Sequence, residues 1–175
     1  PITPVWMQDA GKPLMLSVEE QNQVGMRVSD KGMVLFFSVK DGSELSRVNL
    51  PLPADTHVTS LGEDQPGSPV VVLGLSNGQA LVFRHTYKVS YPDGKKTISP
   101  AIEYPYGDAP ITLDPRGLAL DHVNLNVNDS TVVLAGSTGS QLNVVTLTSE
   151  ENMMTGEVTK SESRIDLPQM TEKVK

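Results

Sequence analysis

Glycine and proline interrupt this sequence so often that long helices are excluded. The chain has 175 residues, of which 14 are Gly and 13 are Pro, and both residue types are costly inside a helix. The stretches between them, such as residues 33–39 and 131–134, are short and rich in Val, Leu and Phe, as strands are. Asn77-Gly78 and Asp93-Gly94 separate such stretches and favour hairpin turns. The sequence therefore predicts an all-β fold of consecutive antiparallel hairpins.

A unit centred on a glycine turn occurs three times. Gly32, Gly78 and Gly139 lie 46 and 61 residues apart, and each separates two apolar runs, with a further run upstream and another downstream. Four strands in about 45 residues is the period of a propeller blade. We predict a propeller-like array of about three four-stranded antiparallel blades, a partial propeller of the WD40 or quinoprotein-like kind. A β-sandwich with seven or more strands is the alternative.

The three units give a domain plan. We predict one propeller-like domain over residues 1–175, with blade units at about 12–52, 56–104 and 116–167. The second unit is the longest, because residues 87–104 alternate on both sides of Asp93-Gly94 and are predicted to be a hairpin inserted into it. Closed propellers typically have at least four blades. We therefore expect open apolar end faces and self-association through them.

The composition excludes several kinds of chemistry. There is no cysteine, so disulfides, thiolate zinc sites and cysteine nucleophiles are excluded. His57, His85 and His122 lack metal-ligand spacing, and we expect His85 at the end of a strand. No phosphate-binding loop motif is present, and the net charge of −7 disfavours a nucleic-acid partner. We expect no enzymatic activity, no catalytic residue, no metal and no cofactor.

Two stretches are candidates for binding. Basic and aromatic residues gather on and beside the predicted hairpin, and Arg and Tyr are common at binding hot spots; the tentative partner-binding residues are Arg84, Tyr87, Lys88, Tyr91, Lys95 and Lys96. The alternative is that these cations keep a protruding ribbon soluble and block edge pairing. Residues 122–128 alternate polar and apolar side chains, which predicts a strand with one wet face; this face either binds a polar partner or is merely solvated.

Residues 73–91, LGLSNGQALVFRHTYKVSY, and residues 98–107, with IEYPYG, resemble part of a known family. They are similar to the large extracytoplasmic domain of phosphate-type ABC transporter permeases. The resemblance implies a propeller-like soluble region on the periplasmic face of the bacterial inner membrane. It implies as partners the other transporter subunits and a periplasmic phosphate-binding protein. No functional residue of the family maps onto this chain.

The resemblance implies a function without a reaction. We expect a non-enzymatic periplasmic domain that offers a protein-docking or regulatory surface in phosphate uptake. Two alternatives stay open: a fragment of a quinoprotein-like propeller enzyme, and a free-standing propeller scaffold for protein–protein interaction.

Overall fold

The computed structural model describes residues 11–165 and 167, and these form three antiparallel sheets. Within that range, sheet A has the order β1-β2-β3-β4, sheet B β5-β6-β7-β8 with β9 paired to β7, and sheet C β10-β11-β12-β13. The strands of sheet A are β1 Pro13–Glu19, β2 Val24–Ser29, β3 Met33–Ser38 and β4 Glu44–Asn49. Those of sheet B are β5 Val58–Glu63, β6 Val70–Leu75, β7 Gln79–Ser90, β8 Thr97–Glu103 and β9 Ile111–Thr112. Those of sheet C are β10 His122–Asn128, β11 Thr131–Thr138, β12 Gln141–Glu151 and β13 Val158–Ile165.

The three sheets are built alike, which confirms the prediction of a partial propeller with about three four-stranded blades. In each sheet the strands follow one another in chain order. Gly32, Gly78 and Gly139 each lie between the second and third strands of their sheet, with φ of +75°, +80° and +60°. The glycine spacing in the sequence therefore marked equivalent hairpins.

Sheet B is the middle layer of the stack, and both of its faces are buried. On one face Leu73 and Phe83 join a core cluster with Met26 and Phe36 of sheet A. On the other face Val72 and Val82 join a second cluster, shared with sheet C; its sheet C members include Val123, Leu125, Val132, Leu134, Val145 and Leu147. This two-sided burial explains why β6 is apolar along its whole length rather than alternating.

The linkers between sheets pass close to the glycine turns. After β4, the amide of Leu50 donates a hydrogen bond to the carbonyl of Gly32, 2.8 Å away. After β9, the amides of Leu113 and Asp114 donate in the same way to Gly78, at 3.0 and 2.9 Å. The same turn that joins two strands thus also anchors the chain on its way to the next sheet.

The structure corrects the hairpin predicted over residues 87–104. That segment is not an insertion: it comprises the outer part of β7, a short 3-10 turn at Pro92–Gly94, and β8. The hairpin supplies the fourth strand of sheet B, which therefore has the same order as the other two. The single-domain range 1–175 stays a prediction, since residues 1–10, 166 and 168–175 lie outside the described part.

The end faces differ from the expectation of two bare apolar surfaces. On the face of sheet A that points away from sheet B, Leu35 and Arg27 are buried, and the Phe37 ring lies over Gly25. Only Leu16 and Val18 of the first strand are exposed there. Sheet C keeps its outer face accessible, as described below.

The glycine turns give a test of the packing. A Cβ on Gly78 would lie 2.9 Å from the carbonyl oxygen of Asp114 and 3.0 Å from that of Leu118, whereas a Cβ on Gly139 would meet no atom within 4 Å. Both glycines have positive φ, which costs an alanine about 1–2 kcal/mol. We expect Gly139→Ala to lower the free energy of unfolding by about that amount, and Gly78→Ala to lower it clearly more. Urea titration of both variants measures the difference, and equal losses would contradict the close passage of the linker.

Candidate functional site

The six predicted binding residues lie on and beside one ribbon, formed by β7, the 3-10 turn and β8, but they do not form one surface. Alternation along β7 places Arg84 and Lys88 on one face and Tyr87 on the other. Tyr91, Lys95 and Lys96 lie at the tip of the ribbon. The ribbon thus divides the predicted set into three environments.

Tyr87 belongs to the core between sheets A and B. Its ring meets the Phe36 ring edge-on, with centroids 5.9 Å apart, and the His85 ring at 5.6 Å. Burial, together with the negative charge of Glu19, raises the pKa of Tyr87 to about 12. The sequence predicted that Tyr87 contacts a partner at the surface. In the structure its ring packs between sheets A and B.

Arg84 faces sheet C rather than the tip of the ribbon. It is half-buried and lines a cleft of about 440 Å³. The other residues of this cleft are Pro105, Tyr106, Asp129, Ser130, Ser149, Glu151 and Val158. Burial raises the pKa of Tyr106, and the Arg84 charge opposes that rise. With Asp129 and Glu151 among its walls, this cleft is no purely basic site.

Four of the six residues are exposed on the outer part of the ribbon: Tyr91, Lys95 and Lys96 at its tip, and Lys88 on the side of Arg84. Lys88, Lys95 and Lys96 are exposed, and so is 65% of the Tyr91 surface. In the described residues none of the three lysines takes part in a salt bridge. The turn itself is fixed by backbone bonds from Gly94 to Tyr91 and from Lys95 to Pro92, at 3.3 and 3.0 Å. Lys95 and Lys96 thus project from a defined turn.

The fold adds Lys40, a residue that the sequence did not single out. Lys40 follows β3 of sheet A, and together with Lys96 of sheet B it lines a groove of about 460 Å³. The remaining walls are uncharged: Gln21, Asn22, Gln23, Ser38, Leu45, Thr97 and Ile98. We call the set Lys40, Lys88, Tyr91, Lys95 and Lys96 the basic rim. Lys40 and Lys96 are 56 positions apart in the sequence, so no local signal could have joined them.

His85 is buried, in contrast to the strand-end position expected from the sequence. Strand β7 continues to Ser90, so His85 lies within it, and only 8% of its surface is exposed. Neither ring nitrogen has a well-formed hydrogen bond in the described residues. Burial lowers the pKa of His85, and the nearby backbone of Ser68 opposes this only in part.

The described residues form neither a metal site nor a membrane-spanning helix. In that part of the chain no three His, Asp or Glu side chains are grouped to hold a metal ion. Over the same residues, no helix combines the length and the apolar character needed to cross a bilayer.

No protein-family model and no curated protein matches this chain. Among solved structures, the β-propeller domain of Cps50 (Swd1) from Myceliophteria thermophila is similar at 11% identity and a TM-score of 0.46, over 90% of this chain and 40% of that one. The WD40 repeats of RRP9 give 12% and 0.34, over 85% and 50%. BamB from Moraxella catarrhalis gives 13% and 0.32, over 87% and 53%. This chain thus spans roughly half or less of each structure, and the propeller assignment rests on its own sheet order.

The two tyrosines of the ribbon differ in burial, because Tyr87 packs in the core and Tyr91 is exposed at the surface. We expect Tyr87→Ala to lower the free energy of unfolding by about 2–3 kcal/mol, somewhat less than for a fully buried aromatic ring. Tyr91→Ala is the matched control, and it should leave stability nearly unchanged. Chemical denaturation of both variants makes the comparison. A Tyr87→Ala variant as stable as the wild type would contradict its place in the core.

The buried histidine predicts a loss of stability in acid. The pKa of His85 lies below its usual 6.5 in the folded chain, so between these two values the unfolded chain binds more protons. This contribution is present above pH 6.5 and is lost as the pH falls toward the lowered pKa of the folded state. Denaturation at a series of pH values should show the loss, and His85→Gln should reduce it. His122→Gln, at an exposed position, should not.

Proposed function

We propose that this chain is a non-enzymatic docking domain, in which a propeller-like scaffold presents the basic rim to an acidic segment of a partner protein. One observation carries the proposal: two sheets bring Lys40 and Lys96 to a groove whose lining has no carboxylate, in a chain of net charge −7. Local charge opposite to that of the whole molecule steers a complementary partner to one place. The exposed Tyr91 adds a residue type that is favoured at binding hot spots.

The rigidity of the ribbon supports a docking role. Strands β7 and β8 pair without interruption from Arg84 opposite Glu103 to Ser90 opposite Thr97. The inward face of the ribbon is held by Tyr87, Ile98 and Ile102, which pack against the core of sheets A and B. A surface that is already ordered loses little conformational entropy when a partner binds.

We further propose a place for this domain, the extracytoplasmic part of a phosphate-type ABC transporter permease. The support is the sequence resemblance of residues 73–91 and 98–107, which include β7 and most of β8 but not the turn that carries Lys95 and Lys96. Its partners would then be the other transporter subunits or a periplasmic phosphate-binding protein, at the periplasmic face of the bacterial inner membrane. A free-standing propeller scaffold would use the same rim.

Site-specific photocrosslinking tests the docking proposal. A photoreactive amino acid at Tyr91, in cells that make the whole protein, should capture a partner that mass spectrometry identifies. The same amino acid at Ala54, exposed in the linker between sheets A and B, is the control position. We expect a product at Tyr91 that disappears when Lys95→Glu and Lys96→Glu are added.

Two results would contradict the proposal. One is the same product at both positions, and the other is a Tyr91 product that survives the charge reversal. The identity of a captured partner tests the finer proposal separately. A transporter subunit or phosphate-binding protein supports the permease location, and an unrelated partner supports a free-standing scaffold.

A further inference from the structure

We propose that the open face of sheet C is a docking surface for a second copy of this chain. This face points away from sheet B, whose contacts with sheet C involve the opposite side chains. The strand pairing places seventeen residues on it, and all but the buried Ser137 are at least partly exposed: His122, Asn124, Asn126, Asn128, Thr131, Val133, Ala135, Ser137, Leu142, Val144, Thr146, Thr148, Glu150, Thr159, Ser161, Ser163 and Ile165. The proposal concerns a surface distinct from the basic rim and does not depend on it.

The open face has an unusual composition for an exposed sheet. Glu150, near the end of β12, is the only Asp, Glu, Lys or Arg among these seventeen residues, although 20% of the chain is charged. Val133 and Ile165 are exposed over 36% and 50% of their surfaces. Depletion of charge around exposed apolar side chains is typical of the core of a protein interface.

The outermost strand shows that this depletion is specific to one face. All of β13 is exposed, and its residues alternate between the two sides of the sheet. Lys160, Glu162 and Arg164 share their side with Ser149, Leu147 and Val145, the side toward sheet B. Ser161, Ser163 and Ile165 lie on the open side. Since both sides of this strand meet solvent, solubility alone does not explain why every charge is on one of them.

A face with a single charge near its edge suits a copy of itself. A two-fold pair brings the same surface of both copies together, so any charge near the axis would face the same charge on the other copy and be repelled by it. The Asn124, Asn126 and Asn128 side chains can each donate and accept hydrogen bonds, and therefore can pair with the same stripe on another copy. The Asp64 carboxylate beside this stripe already accepts hydrogen bonds from Asn126 Nδ2 and the Val127 amide at 3.3 and 3.2 Å.

The first strand of the open face differs from the first strand of the face that sheet B turns toward sheet C. The packing of sheet C on sheet B needs Gly62 in the first strand of sheet B, since a Cβ there would lie 2.5 Å from the carbonyl oxygen of Val123. Gly62 pairs with Val72, on the face toward sheet C. The corresponding positions on the open face are taken by Asn124 and Asn126. Their side chains keep a strand packed on this face at a greater distance than Gly62 does.

The size of the face sets the expected strength. Four strands about 4.8 Å apart and about eight residues long give a face of about 500 Å². Two copies would then bury about 1,000 Å², the lower end of specific interfaces. We therefore expect a dimer that dissociates on dilution, rather than a permanent one.

Sedimentation velocity of the full 175-residue chain over a wide concentration range tests the proposal. Thr146 lies on the open face, opposite Val133 and Ser163 in the neighbouring strands. We expect Thr146→Lys and Thr146→Glu each to weaken the dimer by about tenfold or more, because like charges then face each other. An equimolar mixture of the two variants should recover association, which a merely misfolded variant could not do.

A second site and a control complete the experiment. Ser163→Lys and Ser163→Glu repeat the charge pair at an exposed position where the fold tolerates a long side chain. Ser99→Lys, on an exposed residue of β8, is the control and should leave the dimer intact. A wild-type chain that stays monomeric at every concentration overturns the proposal. So does a dimer that withstands the changes at both Thr146 and Ser163.

Discussion

The burial of sheet B on both faces is the constraint on which the rest of the structure depends. A strand with one buried face can alternate, but β6 has to supply Val72 to one core cluster and Leu73 to the other. The two neighbouring sheets also approach closely, and Gly62 and Gly78 leave space for the backbone that passes them. A sequence that meets both demands has little freedom left in its central strands. The positions that are free of this packing constraint, and can therefore serve binding, lie at the ends of strands and on the outermost sheet faces.

This constraint explains why the candidate surfaces lie where they do. The basic rim occupies the part of β7 and β8 that extends past the core, where alternate side chains are free to face water. The same strand that buries Phe83 exposes Lys88, so a partner that touches Lys88 meets a support anchored in the core. The open face of sheet C is the other place that stacking leaves accessible. One surface is rich in positive charge, and Glu150 is the only formal charge on the other, so they suit different partners.

The sequence predicted the architecture because the features that determine it are local. Turn glycines such as Gly78 and short apolar runs indicate hairpins directly, and three similarly built hairpins indicate three sheets. The sequence was less informative about β7, where Arg84, Tyr87 and Lys88 look equally polar or amphipathic. Which of them is buried depends on the sheet that each side of the strand meets, and this is a tertiary property. The burial of His85 and the meeting of Lys40 with Lys96 have the same origin.

The two outer sheets differ in the faces that they turn away from sheet B. On the face turned away from sheet B, sheet A buries Leu35 and exposes Leu16 and Val18, so a pairing of this face with the open face of sheet C in a second copy would join two unlike surfaces. A head-to-tail chain of copies would need that pairing, whereas a two-fold pair needs only the open face twice. Asparagine suits the first strand of such a face, because its amide is satisfied by water in a free copy and by another amide in a pair. Charged residues would favour the free copy alone, and apolar ones would make association irreversible.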